Sequence, residues 1–576
     1  MIPTSTTWFR NATTVLAIGL GASLASAQQP PRPGGAPPIP RPQPPKPQIR
    51  PQPPLPPGTP TIIDLPAEFR TVNGTGNNPT QNLWGSAGQP FLRLGAVAYA
   101  DNASTPAGAN RPSPRAISNA VAAQSASKPN RRGASDYLWQ WGQFLDHDLD
   151  ETPAADPSEA FPISVPAGDP QFDPSNSGTA TIPLNRSGYQ TIKGVRQQFS
   201  EITAYIDASM VYGSDDARAF ALRALDGSGR LKVTANAAHG DLLPFNTAGV
   251  DNAPPGPSFF LAGDIRVNEQ VGLIAMHTLF LREHNHWADV YKASNPNATD
   301  DEVYQFGRMI VSAEIQVITY REFLPILLGP GALPPYRGYQ ARVNPTISNE
   351  FATAAYRFGH SLLSSNLLRL DASNRPIPAG NLSLAQSFFA PSQVTDHGIE
   401  PILRGLARQR AQELDPMVID GVRNFLFGPP GAGGLDLASL NLQRGRDHGL
   451  PSYAAMRRAL KLRPVTKFSD LNPDLAVVQR LAAVYASVED IDLWIGGLSE
   501  VPRPGAMLGE TFSRIVADQF TRLRDGDRFW YQSYLPKPWV TMVEKQTLGM
   551  IIRRNTGIRD ELQANVWFAP PAAAVQ

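Results

Sequence analysis

From Tyr137 onward, apolar residues recur along the chain at the spacing of an amphipathic helix. Strict alternation of apolar and polar residues, which would indicate half-buried strands, is rare, and the best short candidates cover 205–206 and 368–370. The helical spacing predicts helices over 272–291, 301–328, 350–364, 450–462, 474–485 and 512–523. The predicted fold class is therefore mainly α, with few short strands and with long connections of the kind that carries function or wraps a cofactor.

The composition excludes several classes of function. The 576 residues include 51 Lys and Arg against 50 Asp and Glu, and this balance indicates no nucleic-acid partner. The chain has no cysteine, so it contains no disulfide framework, thiolate metal site or thiol nucleophile. Disulfide-linked oligomers are excluded for the same reason, and we expect a monomer.

The N-terminal region predicts export. Arg10 precedes a small, apolar run over 12–24, and Ala25-Ser26-Ala27 resembles a cleavage site, so 1–27 is interpreted as a signal peptide. The apolar run is short for a membrane span, so no span is expected after cleavage near Ala27. Residues 28–60 are rich in proline and predict an extended linker, either a plain spacer or a tether to an anionic partner. The globular part is predicted over 61–576, in a secreted, periplasmic or extracellular protein.

One predicted helix concentrates reactive side chains in the stretch WGQFLDHDLD. Residues three and four apart share a helix face, so Gln143, Asp146 and His147 point roughly one way. Asp148 is rotated by about 100° from His147 and points elsewhere. The stretch therefore offers a polar face and a second carboxylate that is directed separately.

A second group of oxygen-bearing side chains stands at alternate positions 203, 205, 207 and 209. An extended segment would turn these residues to one side, where they and Asp148 have the oxygen chemistry that calcium prefers. The other interpretation of this pattern is a loop whose hydroxyl groups form hydrogen bonds within the protein.

The eight histidines include one further candidate ligand, His360, in the stretch YRFGHS. A single helical histidine is more often a satisfied core residue, but Gly359 removes bulk beside it and would let a flat ring approach. Asn441 and Arg444 lie in a polar stretch that is a candidate partner of His360. His284 and His286 diverge on a helix and are interpreted as structural rather than as zinc ligands.

Nine stretches together carry a family resemblance. In chain order they are WGQFLDHDLD, ITAYIDASMVYGS, FLAGDIRVNEQ, MHTLFLREHN with YRFGHSLL, LNLQRGRDHGLPSY, DIDLWIGGLSE, RLRDGDRFWYQ and IIRRNTGI. They resemble the animal-type haem peroxidases of the peroxidase–cyclooxygenase superfamily, from about Asn73 to about Pro570. The resemblance implies one large, mainly α-helical domain with haem buried between helices, in an exported member that we expect to be bacterial.

The resemblance also implies a role for each matching residue around the haem. His147 is the distal base, Arg266 is its partner over the iron, and Gln143 lines the same pocket. His360 is the iron ligand on the opposite side, and Asn441 accepts its other N–H. Asp146 and Glu269 match the two carboxylates that form ester links to haem b. Arg357 and Arg444 lie near the haem, and Arg444 is a candidate partner of a haem propionate. The implied Ca²⁺ ligands are Asp148, Thr203, the Tyr205 carbonyl, Asp207 and Ser209.

The activity implied by the resemblance is that of a peroxidase. It would reduce H₂O₂ and oxidise halides, thiocyanate or small phenolic donors through an oxoferryl intermediate. His147 must be neutral to act as a base, whereas flanking carboxylates would raise its pKa. An ester at Asp146 and calcium at Asp148 would remove that difficulty.

Two departures from the family pattern limit the implied activity, and two rivals stay open. Gln270 stands where some members carry the methionine of a third, sulfonium link, which puts chloride oxidation in doubt. Fatty-acid dioxygenases of the superfamily need a tyrosine where Arg357 stands, although Tyr356 is adjacent. A dioxygenase is therefore the first rival, and a haem- and calcium-binding adhesion module without catalysis is the second.

Overall fold

The structure is a computed structural model that describes residues 65–431 and 433–571. The predicted signal peptide over 1–27 and the predicted proline-rich linker over 28–60 lie outside the described residues. Within the part of the chain that is described, no helix is both long and apolar enough to cross a membrane.

Helices dominate the described residues. The α-helices are Pro114–Ile117, Tyr137–Leu149, Ser209–Tyr212, Asp216–Leu222, Val271–Ser294, Asp300–Ile318, Leu324–Leu328, Asn349–Thr353, Leu384–Ser387, Ser392–Thr395, Glu400–Arg408, Asp420–Arg423, Leu437–Asp447, Tyr453–Ala459, Phe468–Leu471, Leu475–Ala482, Leu493–Ser499, Glu510–Asp525, Tyr531–Tyr534, Lys537–Val543 and Leu548–Asn555. Two π-helical segments, Ser118–Ala122 and Thr319–Phe323, and two 3₁₀ segments, Ala355–Ser361 and Val488–Asp490, complete the set. The prediction of a mainly α fold is confirmed.

The helix Val271–Ser294 lies at the centre of the fold. It is buried on nearly every side, and it packs against Asp300–Ile318, Tyr137–Leu149 and Leu548–Asn555. The Gln270 side chain caps its first turn by accepting from the Gly272 N–H. The next helix begins with a capping box between Thr299 and Glu302. Most buried apolar side chains form one continuous cluster around these helices.

Strands are short, with two to four residues each. Within 65–431 and 433–571 they form four two-stranded sheets: the parallel pair Ala123–Gln124 with Val418–Ile419, and the antiparallel pairs Ile163–Ser164 with Thr181–Ile182, Tyr189–Ile192 with Val195–Gln198, and Asn366–Leu367 with Leu382–Ser383.

The predicted strands over 205–206 and 368–370 were wrong. Tyr205 and Ile206 lie in a bend, and Leu370 makes only an isolated bridge to Pro376. The longest hairpin instead joins the polar strands Tyr189–Ile192 and Val195–Gln198. Its turn is at Lys193 and Gly194, whose φ angles of 51° and 79° match the tight turn that suits a hairpin.

The predicted helices are present, with two interruptions. The helix predicted over 301–328 is wound into a π turn at Thr319–Phe323, directly before Pro325, which has no N–H to continue the α pattern. The helix predicted over 350–364 stops at Ala354 and resumes as the 3₁₀ segment Ala355–Ser361. The Arg357 side chain donates to the Ala352 carbonyl at this break (3.0 Å).

Candidate active site

The helix Tyr137–Leu149 carries the first part of the site. Eleven of its 13 residues are buried, and Gln143 and Asp146 are the two that are not. His147 follows Asp146 and is itself 3% exposed. The helix packs against Val271–Ser294 on one side and against Ala355–Ser361 on another, which brings the predicted distal and proximal segments together.

His147 has one ring nitrogen directed into the protein. Nδ1 lies 3.4 Å from the Asp264 carboxylate, without the geometry of a hydrogen bond, and is buried with no hydrogen-bond partner. Nε2 is therefore the nitrogen that is available to a ligand. Burial lowers the pKa of His147 well below its ordinary value, and the Arg266 charge adds to this effect, although Asp264 opposes it. His147 is neutral at neutral pH.

The neutrality of His147 corrects the electrostatic expectation from sequence. The flanking carboxylates were expected to raise its pKa, but Asp148 points away from the ring and burial outweighs the nearby negative charge. The nearest carboxylate is that of Asp264, which had not been singled out.

Arg266 is held rigidly beside His147 by Asp264. Arg266 donates to Asp264 through Nε (2.9 Å), Nη2 (2.7 Å) and its backbone N–H (2.8 Å). Nη2 also donates to the Asp150 carbonyl at the end of the helix (3.1 Å), and Nη1 lies 3.8 Å from Asp146. Burial would raise the pKa of Asp264, but the Arg266 and His147 contacts lower it below its ordinary value, so Asp264 is a carboxylate.

The predicted ester carboxylates lie on the same side as Arg266. Gln143 donates to Glu269 (2.9 Å) and accepts from Gln270 (3.3 Å), so these three side chains form one chain of contacts. Burial raises the pKa of Glu269 to about 7 and that of Asp146 to about 6, although Arg266 lowers both. Near neutral pH, protonated forms of both acids are therefore populated.

His360 and Asn441 contact each other on the opposite side. The Asn441 amide nitrogen faces His360 Nδ1 at 2.7 Å, and the Asn441 oxygen accepts from Arg357 (3.2 Å). The direction of the His360–Asn441 hydrogen bond is set by the tautomer of the ring, and the amide oxygen, with two lone pairs, can accept from both His360 and Arg357. Burial, and then the Arg357 charge, lower the pKa of His360 to about 3.

Arg444 is tied to the protein rather than extended into open space. Its Nη1 donates to the Asn185 carbonyl (2.8 Å), the Ser187 hydroxyl (2.9 Å) and Asp447 (2.9 Å). Its charge still acts on Arg357, so the two guanidinium groups belong to one region of positive charge.

The functional side chains share one accessible face inside an otherwise buried region. Gln143, Asp146, Arg266, Glu269, Arg357 and His360 are each partly exposed, whereas the residues beside them are mostly buried. A Cβ atom added to Gly359 would meet only Trp139, at 3.9 Å, so the main chain next to His360 also borders open space. The charges of Arg266 and Arg357 both act on Asp146, and the Arg357 charge also acts on His360, so the distal and proximal side chains belong to one region.

Four of the five predicted calcium ligands gather behind His147. Asp148 accepts from the backbone N–H groups of Ala208 (3.1 Å) and Ser209 (2.5 Å), and the Ser209 hydroxyl donates to it (2.8 Å). Asp207 accepts from Ser209 N–H (3.0 Å) and from Thr203 (3.1 Å). The segment is bent rather than extended as predicted, and the Tyr205 hydroxyl donates to the Trp84 carbonyl (2.6 Å), so a ligand from Tyr205 could come only from its own carbonyl, which stays a prediction.

Sequence reasoning missed Asp264, which holds Arg266 and faces His147 Nδ1. The available signal was a carboxylate two residues before Arg266 in FLAGDIRVNEQ. His284 proves structural, as interpreted, because the Tyr212 hydroxyl (2.9 Å) and the Gly229 carbonyl (3.0 Å) occupy its ring nitrogens. Within the described ranges, no cluster of three or more His, Cys, Asp or Glu residues suited to a metal ion is found.

Comparisons with known proteins agree with this geometry. Peroxinectin A of Dictyostelium discoideum is 38% identical over 528 residues, which cover 87% of this chain and 96% of that protein. The solved structure of peroxidase A from Dictyostelium discoideum superposes with a TM-score of 0.82 at 36% identity, covering 87% of this chain and all of that one. The fatty acid α-dioxygenase of Oryza sativa shares the fold alone, with a TM-score of 0.73 at 22% identity over 88% of this chain.

The family match extends over almost all of the described residues. Residues 69–567 match the animal haem peroxidase family. This range contains both histidines of the site, Arg266 and the carboxyl groups between them. The chain belongs to the animal haem peroxidase family, and it is a haem peroxidase.

Proposed function

We propose that this enzyme uses hydrogen peroxide to oxidise bromide, iodide, thiocyanate or small phenols at the face shared by His147, Arg266 and His360. The observation that carries the proposal is the neutral His147, whose Nδ1 is buried beside Asp264 while Arg266 is fixed next to it. A neutral imidazole beside a permanent positive charge has the acid–base and electrostatic chemistry that peroxide cleavage requires.

Each of these residues has a separate task. His147 accepts a proton from one oxygen of hydrogen peroxide and delivers it to the other, which leaves as water. Arg266 stabilises the negative charge that develops on the departing oxygen, and Asp264 prevents the guanidinium from turning away. Gln143 presents its amide to a small anion or water on the same face.

The residues present fit a haem. His360 would hold its iron, and Arg357 and Arg444 supply positive charge for its propionates. Haem, when bound, supplies the two electrons that reduce the peroxide. Iron binding at His360 Nε2 would leave the imidazole proton on Nδ1, so Asn441 would have to turn its oxygen towards His360. The way in which Asn441 divides its hydrogen bonds between Arg357 and His360 therefore controls how strongly the imidazole donates electron density to a metal.

Covalent attachment of haem b through Asp146 and Glu269 is a further part of the proposal. Both acids lie on the accessible face, and burial raises their pKa values to about 6 and about 7. The protonated carboxyl groups are uncharged, as the two ester groups would be. Gln270 supplies no thioether, so a third link of the sulfonium type is excluded.

The donor preference can be tested by steady-state turnover of the purified, haem-loaded enzyme. With hydrogen peroxide as oxidant, we expect turnover of iodide, thiocyanate and bromide to exceed that of chloride by about tenfold or more. The physical reason is that chloride is the hardest of these anions to oxidise and that the sulfonium link is excluded. Chloride turnover equal to that of bromide would contradict this donor preference. Oxygen uptake with a polyunsaturated fatty acid, in the absence of peroxide turnover, would favour a dioxygenase.

Calcium binding behind His147 is proposed from two buried carboxyl groups that face each other. Burial raises the pKa of Asp148 well above its ordinary value, and Asp207 raises it further. Thr203 and Ser209 add hydroxyl oxygens to the same cluster. A divalent cation would offset the repulsion between the two carboxylates and would accept all of these oxygens as ligands.

The calcium proposal predicts the sign of a stability change. Asp148→Asn is expected to lower the free energy of unfolding of the haem-loaded enzyme in excess calcium by on the order of 2–4 kcal/mol and to abolish its sensitivity to chelators. The control is Asp396→Asn, at an exposed position, which should leave the thermal transition unchanged. If no cation binds, Asp148→Asn still loses hydrogen bonds that the carboxylate accepts from Ala208 and Ser209, but the wild-type enzyme should then be equally stable in calcium and in a chelator.

Export completes the proposal. Residues 1–27 are proposed to be a signal peptide cleaved near Ala27, 28–60 to be a linker, and 61–576 to be the catalytic domain of a secreted or periplasmic monomer. The mass of the N-terminal peptide of the mature protein would test the cleavage position. The non-catalytic adhesion module is disfavoured because both His147 and Arg266 are held in place.

A further inference from the structure

A continuous row of aromatic rings leads away from the active site. It begins at Tyr356, next to Arg357, and Tyr356 is 5% exposed with no hydrogen-bond partner for its hydroxyl group. The Tyr356 and Phe520 ring centroids are 5.8 Å apart, and those of Phe520 and Tyr320 are 5.9 Å apart. The Tyr320 and Trp530 centroids are 4.7 Å apart. No gap in this row exceeds the ordinary distance between interacting aromatic rings.

The row ends in a surface groove of about 630 Å³. Tyr320 and Tyr336 line it and are partly exposed, Trp530 and Tyr531 line it from beneath and are only 2% and 4% exposed, and Arg321 and Arg524 also line it. Its volume lies in the range of ordinary small-molecule sites. Tyr320 belongs to the π turn Thr319–Phe323, a type of helical irregularity that often marks functional positions.

We propose that this groove is a second oxidation site, where a phenolic donor too large for the haem pocket gives up electrons that travel to the haem through Trp530, Tyr320, Phe520 and Tyr356. The proposal rests on the peroxidase function and specifies where a second class of its donors reacts. The groove suits such a donor because the partly exposed rings of Tyr320 and Tyr336 can stack with a phenol ring, close to the buried Trp530.

Trp530 is the residue that is oxidised by one electron and carries the radical. Its indole N–H donates to the Gln532 amide oxygen (3.2 Å), and an indole can lose an electron without losing its proton. Tyr320 is less suited, because its hydroxyl donates to the Phe520 carbonyl (2.5 Å), which is not a base that would take the proton. Tyr320 and Phe520 therefore connect Trp530 to Tyr356 rather than storing the oxidising equivalent.

The electron balance follows from the peroxidase reaction. Hydrogen peroxide takes two electrons from the haem centre, and each is replaced by one electron that passes along the row from Trp530. Each oxidised Trp530 then takes one electron from a phenol in the groove, whose O–H proton passes to solvent water. The sum is two phenols and one hydrogen peroxide giving two phenoxyl radicals and two waters.

The test compares two donors on the same haem-loaded enzyme. Phenol groups coupled to dextran are confined to the surface, whereas iodide reaches the haem pocket. Trp530→Phe is expected to lower turnover of the dextran-linked phenol by about tenfold or more, with iodide turnover within about twofold of wild type. Phe520→Leu interrupts the row in its middle, leaves the groove walls in place, and should give the same result.

The matched control is Trp539→Phe. Trp539 is also buried, but it packs against Trp287 and Phe306, outside the row and the groove. The same substitution there should leave turnover of both donors unchanged. This control separates loss of an electron carrier from the general effect of replacing a buried tryptophan.

A second readout does not depend on turnover. The wild-type enzyme is treated with hydrogen peroxide and 2-methyl-2-nitrosopropane without a donor, and its peptides are mapped by mass spectrometry. We expect a spin-trap adduct on Trp530, and its loss in Phe520→Leu. The inference is overturned if dextran-linked phenol turnover is unchanged in Trp530→Phe, or if Trp530 carries no adduct while iodide is oxidised normally. Absence of iodide turnover in the wild-type enzyme would instead refute the peroxidase function itself.

Discussion

His147→Ala is expected to slow the reaction of the haem-loaded enzyme with hydrogen peroxide by about 10²–10⁴-fold, which is the usual contribution of a positioned general base. Haem content should stay at the wild-type level, because the iron ligand proposed here is His360. The physical reason is that burial and Arg266 keep His147 neutral, so it is the group ready to take the peroxide proton. Stopped-flow absorbance of the haem band at increasing peroxide concentrations measures the rate constant.

The control for this experiment is His239→Ala. His239 contacts the Asp396 carbonyl (3.0 Å) away from the site, and its replacement should leave the peroxide rate unchanged. A His147→Ala enzyme that reacts with peroxide as fast as wild type would remove the base from the proposed mechanism. Arg266 and Asp264 would then have to account for the whole rate of the reaction with hydrogen peroxide.

His360→Leu is expected to remove most of the haem, with the haem absorbance per protein falling by about tenfold or more because the axial imidazole is lost. Leucine fills a similar volume, so the surrounding 3₁₀ segment should keep its structure. The ratio of haem-band to protein absorbance after reconstitution measures the effect.

The matched control is His397→Leu. His397 is a partly exposed histidine that is not one of the site residues. It should bind haem as wild type does. A His360→Leu protein with full haem content and an unchanged spectrum would show that another side chain supplies the axial ligand.

Sequence alone predicted the parts of the site that depend on local spacing. Asp146 and His147 on one face, with Asp148 directed elsewhere, follow from helix geometry, and the structure keeps this division. Asp148 and Asp207 also meet as expected, although the segment that carries Asp207 is bent. The helical pattern predicted the long central helix to within a few residues.

The remainder depends on contacts that spacing does not encode. Asp264 lies far along the chain from His147, and only the folded structure shows that it faces Nδ1 while holding Arg266. The pKa of His147 is set mainly by burial, which sequence neighbours do not reveal. Asn441 contacts both His360 and Arg357 from a separate helix, and the short strands depend on pairing between segments.

The most direct test of the central claim is the absorption spectrum of the purified wild-type protein after reconstitution with haem, before and after hydrogen peroxide is added. The proposed arrangement of His147, Arg266 and His360 predicts a strong Soret band that changes at once on mixing with peroxide and returns when iodide is added. A protein that forms no Soret band, or whose band does not respond to peroxide, would contradict it.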